Sequence, residues 1–237
     1  MSVLIVIPAR MASTRFPGKP LVEIAGRSLI LRVCDQAAKV PGADRFLVAT
    51  DDARILNHVI EGGYEALMTS PEHASGSDRV AEAAGEHVGL ILNLQGDEPL
   101  ADPEIMGRLI TRLESDSSLD MGTVAVPLAP GEEGQPDRVK VLVDSGNLAV
   151  DFHRQLPGTP EVGLRVLRHA GVYLYPAKTL RSFTQTESCE RERAEGLEQL
   201  RALEMGLRIT VVEGNDWAPG VDRPDDLKVI ESLLASD

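Results

Sequence analysis

Apolar runs and amphipathic stretches alternate along the first half of the chain. Val3 to Pro8, Arg45 to Thr50, Tyr64 to Met68 and Leu90 to Gln95 are short, strand-like runs. Between them, apolar positions recur with helical period from about Ser28 to Val40, Asp52 to Gly62 and Ser77 to His87. A further helix is predicted from about Pro103 to Ser115, with proline at a favoured first-turn position. Strand and helix in alternation predict an α/β fold with a doubly wound, mainly parallel sheet.

Beyond Met121 the texture changes. Val124 to Pro127, Val139 to Val143 and Leu148 to Phe152 are β-like runs joined by turns rich in Gly, Pro and Asp, and Asp144-Ser145-Gly146-Asn147 is a hairpin signal. An antiparallel insertion is therefore expected. A strand from His169 to Tyr175 precedes a charged helix from about Arg191 to Glu204, the strand Arg208 to Val212 and a last helix from about Pro224 to Leu234. The organisation predicted is one domain over 1–237, with the β-rich insertion at about 121–175.

Composition narrows the partners. With 237 residues and 43% hydrophobic content the chain can bury a full core. A net charge of −13 argues against nucleic acid and leaves a small anion as the partner for any local basic loop. Cys34 and Cys189 lack CxxC or Cys/His spacing, which predicts reduced structural thiols instead of a zinc site or a disulfide. No apolar stretch approaches the roughly 18 residues of a membrane span, and no basic n-region precedes the first strand, so no membrane partner and a cytoplasmic location are expected.

One loop carries the chemistry of that anion. Arg10-Met11-Ala12-Ser13-Thr14-Arg15-Phe16-Pro17-Gly18-Lys19 follows the first strand, at the strand end where an open α/β sheet binds ligands. Guanidinium forks match phosphate oxygens and a lysine adds a mobile point charge, while Ser13, Thr14 and Gly18 let backbone amides approach closely. A nucleoside triphosphate fits. The loop is not a Walker A motif, since Pro20 follows Lys19 and the first glycine of GxxxxGK is absent.

Other strand ends supply carboxylates and a turn. Asp97, in Asn93-Leu94-Gln95-Gly96-Asp97-Glu98-Pro99, is placed to hold Mg²⁺ together with substrate phosphates, and an Asx turn or helix cap is its plainer role. Asp222, in Gly220-Val221-Asp222-Arg223-Pro224, has the same two readings. Ser75-Gly76-Ser77-Asp78-Arg79 is a small-residue turn entering a helix, suited either to a base or phosphate, or to a plain N-cap with a solvated arginine. Asp51 and Asp52 end the strand Val48-Ala49-Thr50 as caps.

Taken in order, Ile7-Pro8-Ala9-Arg10, Ser13-Thr14-Arg15, Pro17-Gly18-Lys19-Pro20, Val48-Ala49-Thr50-Asp51, Ser75 to Arg79, Asn93 to Pro99, Arg168-His169-Ala170-Gly171-Val172-Tyr173, Leu197-Glu198-Gln199-Leu200-Arg201 and Gly220 to Pro224 resemble the 3-deoxy-manno-octulosonate cytidylyltransferases. The resemblance implies a nucleotidyltransferase-type, Rossmann-like fold, a homodimer and a Mg²⁺-dependent reaction of CTP with the anomeric hydroxyl of 3-deoxy-manno-octulosonate (Kdo), releasing pyrophosphate in lipopolysaccharide biosynthesis. It implies that Ala9, Arg10, Arg15, Lys19, Ser75, Gly76, Arg79 and Gln95 bind CTP. Arg10, Lys19, Asp97 and Asp222 would be catalytic, with Asp97 and Asp222 the metal carboxylates, and Gln95, Arg154, His169, Tyr173, Glu195 and Gln199 would face the acceptor. Glu195 and Gln199 are expected on one helix face by their spacing of four. Two Mg²⁺ ions fit an in-line attack on the α-phosphorus, and segment 121–152 offers a dimer surface.

The match departs on the acceptor side. Asp151-Phe152-His153-Arg154 replaces the family's Tyr-Phe-Ser-Arg, and the connection to Arg168 is short, so added charge is expected to re-aim bonds to the acceptor. Two other functions follow: cytidylyl transfer to another anionic acceptor, such as an amino-substituted or different keto-sugar acid or a small phosphonate, and a non-catalytic CTP-binding protein. The joint presence of both metal carboxylates speaks against the last.

Overall fold

The computed structural model describes residues 1–12 and 15–235, so Ser13 and Thr14 lie outside the described residues. The chain divides into two compact units, Met1–Glu104 with Ala218–Asp237, and Ile105–Trp217. The first unit runs β1 (Val3–Ala9), β2 (Glu23–Ile24), β3 (Arg27–Ser28), α1 (Leu29–Ala37), β4 (Arg45–Thr50), α2 (Ala53–Glu61), β5 (Ala66–Met68), α3 (Gly76–Ala84) and β6 (Leu90–Leu94). Most of β1 and all of β6 are buried, as continuous apolar runs in a parallel sheet require. Strand β1 pairs in parallel with β4 on one side and with β6 on the other, and β4 pairs in parallel with β5. The chain thus moves outward from β1 and then returns to its opposite flank. That reversal is a topological switch point, and it opens the carboxyl ends of β1 and β6 to a ligand.

The second unit runs α4 (Pro103–Glu114), β7 (Met121–Pro127), β8 (Lys140–Val143), β9 (Ala149–His153), β10 (Arg165–Pro176), α5 (Ala177–Gln185), α6 (Glu190–Glu195), α7 (Gln199–Glu204) and β11 (Ile209–Glu213). Strand β7 lies antiparallel to β10 and parallel to β11, and β8 lies antiparallel to both β10 and β9. The predicted hairpin forms where expected. Asp144 Oδ1 accepts the amides of Gly146 and Leu148, each at 2.8 Å, and closes the turn between β8 and β9.

The chain then returns to the first unit as α8 (Asp226–Leu234). Ile230 of α8 packs with Ile24, Leu29 and Val221, flanked by Phe16, Leu100, Leu227 and Leu234. This cluster brings the segment bearing Asp222 back to the loop after β1.

Three differences from the sequence reading have local causes. The helix expected from Arg191 to Glu204 is two helices, because Gly196 adopts φ 62° and ends α6. Helix α5 was not expected, although Ala177, Leu180 and Phe183 form a buried stripe at helical spacing. Strand β10 starts before His169, since Arg165 to Arg168 pair with β8. Both cysteines are free: Cys34 is buried, which pushes its thiol up to about 12, and the Cys189 sulfur accepts the Glu192 amide at the start of α6. Among the described residues no helix is long and apolar enough to cross a membrane.

Candidate active site

In the first unit the site grows from the ends of β1 and β6. Gly96 follows β6 against the end of β1, where a Cβ would stand 2.7 Å from the Pro8 carbonyl oxygen. Only glycine permits that approach. It sets Gln95 and Asp97 beside β1, and a Cβ placed on Gly76, at the start of α3, would lie 3.7 Å from both Pro8 and Gln95 Oε1. Gly76 therefore lies against Gln95, and Ala9 against Gly96.

Lys19 is where the loop after β1 meets both acidic segments. Pro20, which excluded a Walker A motif, lies buried in a short 3₁₀ turn, Lys19–Leu21. The Lys19 Nζ donates to Asp97 Oδ2 at 2.7 Å and to the Val221 carbonyl at 2.7 Å, and stands 3.8 Å from Asp222 Oδ1. Arg15 reaches the same Asp222 oxygen at 3.2 Å, and Arg10 is exposed. Val221 in turn donates its amide to the Asp97 carbonyl at 2.8 Å, which staples the two acidic segments together. Asp222 is not the cap of α8: Asp226 accepts the amides of Asp222 and Arg223, at 2.8 and 2.7 Å. Both carboxylates are thus directed at cations.

Around the turn at residue 75 the plain capping reading holds in part. Ser75 and Asp78 form a reciprocal capping box. Arg79, expected near cytidine or in solvent, is 4% exposed and turns inward, pairing with Asp51 at 2.6 Å and donating to Thr69 Oγ1 at 2.5 Å. Asp52 caps α2 as predicted, accepting the Arg54 amide at 2.9 Å, whereas Asp51 serves Arg79 and is no cap.

The acceptor candidates lie in the second unit and are engaged with one another and with backbone. Tyr173 Oη donates to Gln199 Oε1 at 3.1 Å, and the His169 ring stands 5.4 Å from that of Tyr173 and edge-on to Phe152 at 5.2 Å. Burial pushes the His169 imidazole down to about 3 and raises the Tyr173 phenol, the nearby Glu198 adding to the latter. Arg154 donates to three carbonyl oxygens: Glu195 at 2.5 Å, Gly196 at 3.2 Å and Pro136 at 3.3 Å. Glu195 and Gln199 do not share a helix face. The left-handed Gly196 separates them, so Glu195 closes α6 and Gln199 opens α7. Nor do Asp151 and His153 add unbalanced charge, since Arg191 binds Asp151 at 2.8 and 3.0 Å and His153 Nε2 stands 3.3 Å from it.

Two supporting residues escaped the sequence reading. Lys140 is fully buried, and its ammonium donates to the carbonyls of Gln135 at 2.6 Å and Arg154 at 2.9 Å, with desolvation lowering its pKa. A lone lysine inside Val139-Lys140-Val141-Leu142-Val143 is the signal that marks it. Arg201, 7% exposed, lies 3.1 Å from Glu192, donates to the Phe183 and Thr186 carbonyls and covers the Phe183 ring, tying α7 to α5 and α6.

A parallel sheet whose switch point gathers cations and paired carboxylates defines a nucleotide-transferring class. A cytidylyltransferase family model matches residues 4–209. A 3-deoxy-manno-octulosonate cytidylyltransferase from Syntrophotalea carbinolica is 42% identical over 99% of each chain, and one from Syntrophobacter fumaroxidans is 40% identical over 100% of this chain and 98% of its own. A solved CMP:2-keto-3-deoxy-manno-octonic acid synthetase complexed with CTP is similar at TM-score 0.94 and 36% identity, covering 100% of this chain and 99% of that one. The chain belongs to the cytidylyltransferase family, within the group of the 3-deoxy-manno-octulosonate cytidylyltransferases.

Proposed function

We propose that the chain transfers the cytidylyl group of CTP to the anomeric hydroxyl of 3-deoxy-manno-octulosonate, releasing pyrophosphate, in the cytoplasm and as a homodimer. The observation that carries this reading is the Lys19 ammonium between Asp97 and Asp222, stapled through Val221. A cation centre with two carboxylates beside two arginines suits a triphosphate and its counter-ion.

Among the described residues no cluster of three or more His, Cys, Asp or Glu is gathered for a metal. Two converging carboxylates nevertheless fit Mg²⁺, which takes one or two carboxylates and completes its shell with substrate phosphates and water. Asp97 and Asp222 would hold it, and when bound it would neutralise phosphate charge and acidify the attacking hydroxyl. Lys19 would exchange its carboxylate partners for phosphate oxygens. Arg10 and Arg15 neutralise the triphosphate, Ala9, Ser75, Gly76 and Gln95 seat the cytidine, and Arg79 positions that wall through Asp51 and Thr69. Arg154, Glu195, His169, Tyr173 and Gln199 orient the acceptor. The hydroxyl attacks the α-phosphorus in line as pyrophosphate departs, with no covalent enzyme intermediate, so the acceleration comes from positioning and charge neutralisation.

Pyrophosphate release with CTP, ATP or GTP and a panel of keto-sugar acids and phosphonates tests this reading. CTP with 3-deoxy-manno-octulosonate is expected to be the fastest pair. Faster turnover of another acid would reject the acceptor and keep the transferase class, and equal turnover of ATP would reject the nucleotide assignment.

A further inference from the structure

Thr123 lies in β7, fully buried, and its single hydroxyl has two short contacts. Oγ1 stands 2.7 Å from the Val172 carbonyl oxygen and 2.9 Å from Nε2 of His169, with the Ala170 carbonyl farther off at 3.5 Å. The pairing of β7 with β10 shifts between Ala170 and Tyr173, so Val172 sits in the interval outside the regular ladder, where a side chain serves its carbonyl. A carbonyl oxygen has no proton of its own, and an O···O approach this short requires one. The threonine's only proton therefore goes to Val172. It cannot also serve the ring, so the second contact has Nε2–H donating and the threonine oxygen accepting.

In a neutral imidazole with the proton on Nε2, Nδ1 is an acceptor. We propose that Thr123 is a positioning residue that holds His169 as the Nε2–H tautomer, so that Nδ1 accepts a hydrogen bond from a hydroxyl group of the acceptor and does not bind its carboxylate. A carboxylate presents only lone pairs, which the bare Nδ1 repels. Burial favours the same neutral state, the imidazole being held down to about 3 with Phe152 and Tyr173 against it. The ring thereby reads the hydroxyl-bearing part of the substrate and leaves its acid group to cations. The substrate half of the inference rests on the acceptor role of His169 proposed above; the tautomer does not.

Two measurements separate these parts. In protein labelled with ¹⁵N-histidine, with the His169 signals assigned by their loss in His169→Gln, the ring is expected to carry its proton on Nε2 alone from neutral pH down to about pH 5. A proton on Nδ1, or a doubly protonated ring at neutral pH, overturns the tautomer. In steady-state kinetics with CTP and 3-deoxy-manno-octulosonate, Thr123→Val is expected to raise the acceptor KM about tenfold, as for one lost hydrogen bond, with the CTP KM unchanged and Thr123→Ser restoring the acceptor value. An unchanged acceptor KM in Thr123→Val, or an equal rise in both KM values, overturns the positioning role. If Thr123→Val does not fold, the spectrum of the wild-type protein decides. A wild-type protein inactive on this acid overturns the substrate reading, and the tautomer is then judged on the spectrum alone.

Discussion

The two units solve opposite problems with the same kinds of side chain. In the first, charge is gathered at one point and balanced internally: Lys19 and Arg15 against Asp97 and Asp222, with Asp97 and Asp222 about one third and one half exposed in their side chains, at 31% and 48%. In the second, the candidate groups are locked by neutral or backbone partners, with Tyr173 on Gln199, His169 on Thr123, and Arg154 on three carbonyls. The pair of Arg15 with Asp222 is half exposed, and exposed ion pairs contribute little stability, which suits a centre that binds and releases CTP. The partners Thr123 and Gln199 are buried, and buried hydrogen-bonded groups are costly to disturb, which suits recognition of a fixed pattern of hydroxyls. On the proposed assignment, the first set of groups would serve transfer and the second selection of the acceptor.

The sharpest way to break this contrast is to neutralise one carboxylate. Asp97→Asn and Asp222→Asn are each expected to lower kcat by at least ~10²-fold, the order of a lost preorganised charge at a reacting phosphate, with unchanged far-ultraviolet circular dichroism. Near-normal turnover in either variant would make that aspartate only a partner for Lys19.

A smaller effect is expected from Arg154→Lys. An ammonium cannot span the carbonyls of Glu195, Gly196 and Pro136 as a guanidinium does. The bend between α6 and α7 then loosens, and the acceptor KM rises by about tenfold, the scale of one or two hydrogen bonds to a charged group, while the CTP KM stays put. Equal shifts in both constants would remove the separation of roles between the units.

The mildest test is acid. Because burial depresses His169 from its ordinary value to about 3, the unfolded chain binds this proton more readily than the folded one as pH falls from 6.5 towards 3. Stability contributed by the neutral ring is complete above the unfolded value and is lost progressively below it. His169→Gln is therefore expected to flatten the decline of Tm over that window. An identical decline in wild type and variant would show that the ring titrates normally.

How much of this was legible beforehand depended on the range of the interaction. The strands β1, β4 and β6, the caps at Ser75 and Asp52, the hairpin at Asp144 and the cationic loop after β1 all follow from patterns within a few residues, where periodicity and side-chain-to-backbone bonding act. The spacing of Glu195 and Gln199 misled because one left-handed glycine interrupts the helix, and Gly196 in a charged run carries no stronger local mark than any other glycine.

By itself, the sequence determined a parallel α/β core, reduced cysteines, an anion-seeking loop and, through the order of its motifs, a cytidylyltransferase. The tertiary structure alone decided that Asp97 and Asp222 meet at Lys19, that Arg79 turns inward to Asp51, that Arg154 grips carbonyls and that Thr123 meets the His169 ring. These pairings join residues far apart in the chain. Which partner an ionisable or polar side chain takes depends on which strands and loops packing brings within about 3 Å, and no local pattern records that choice.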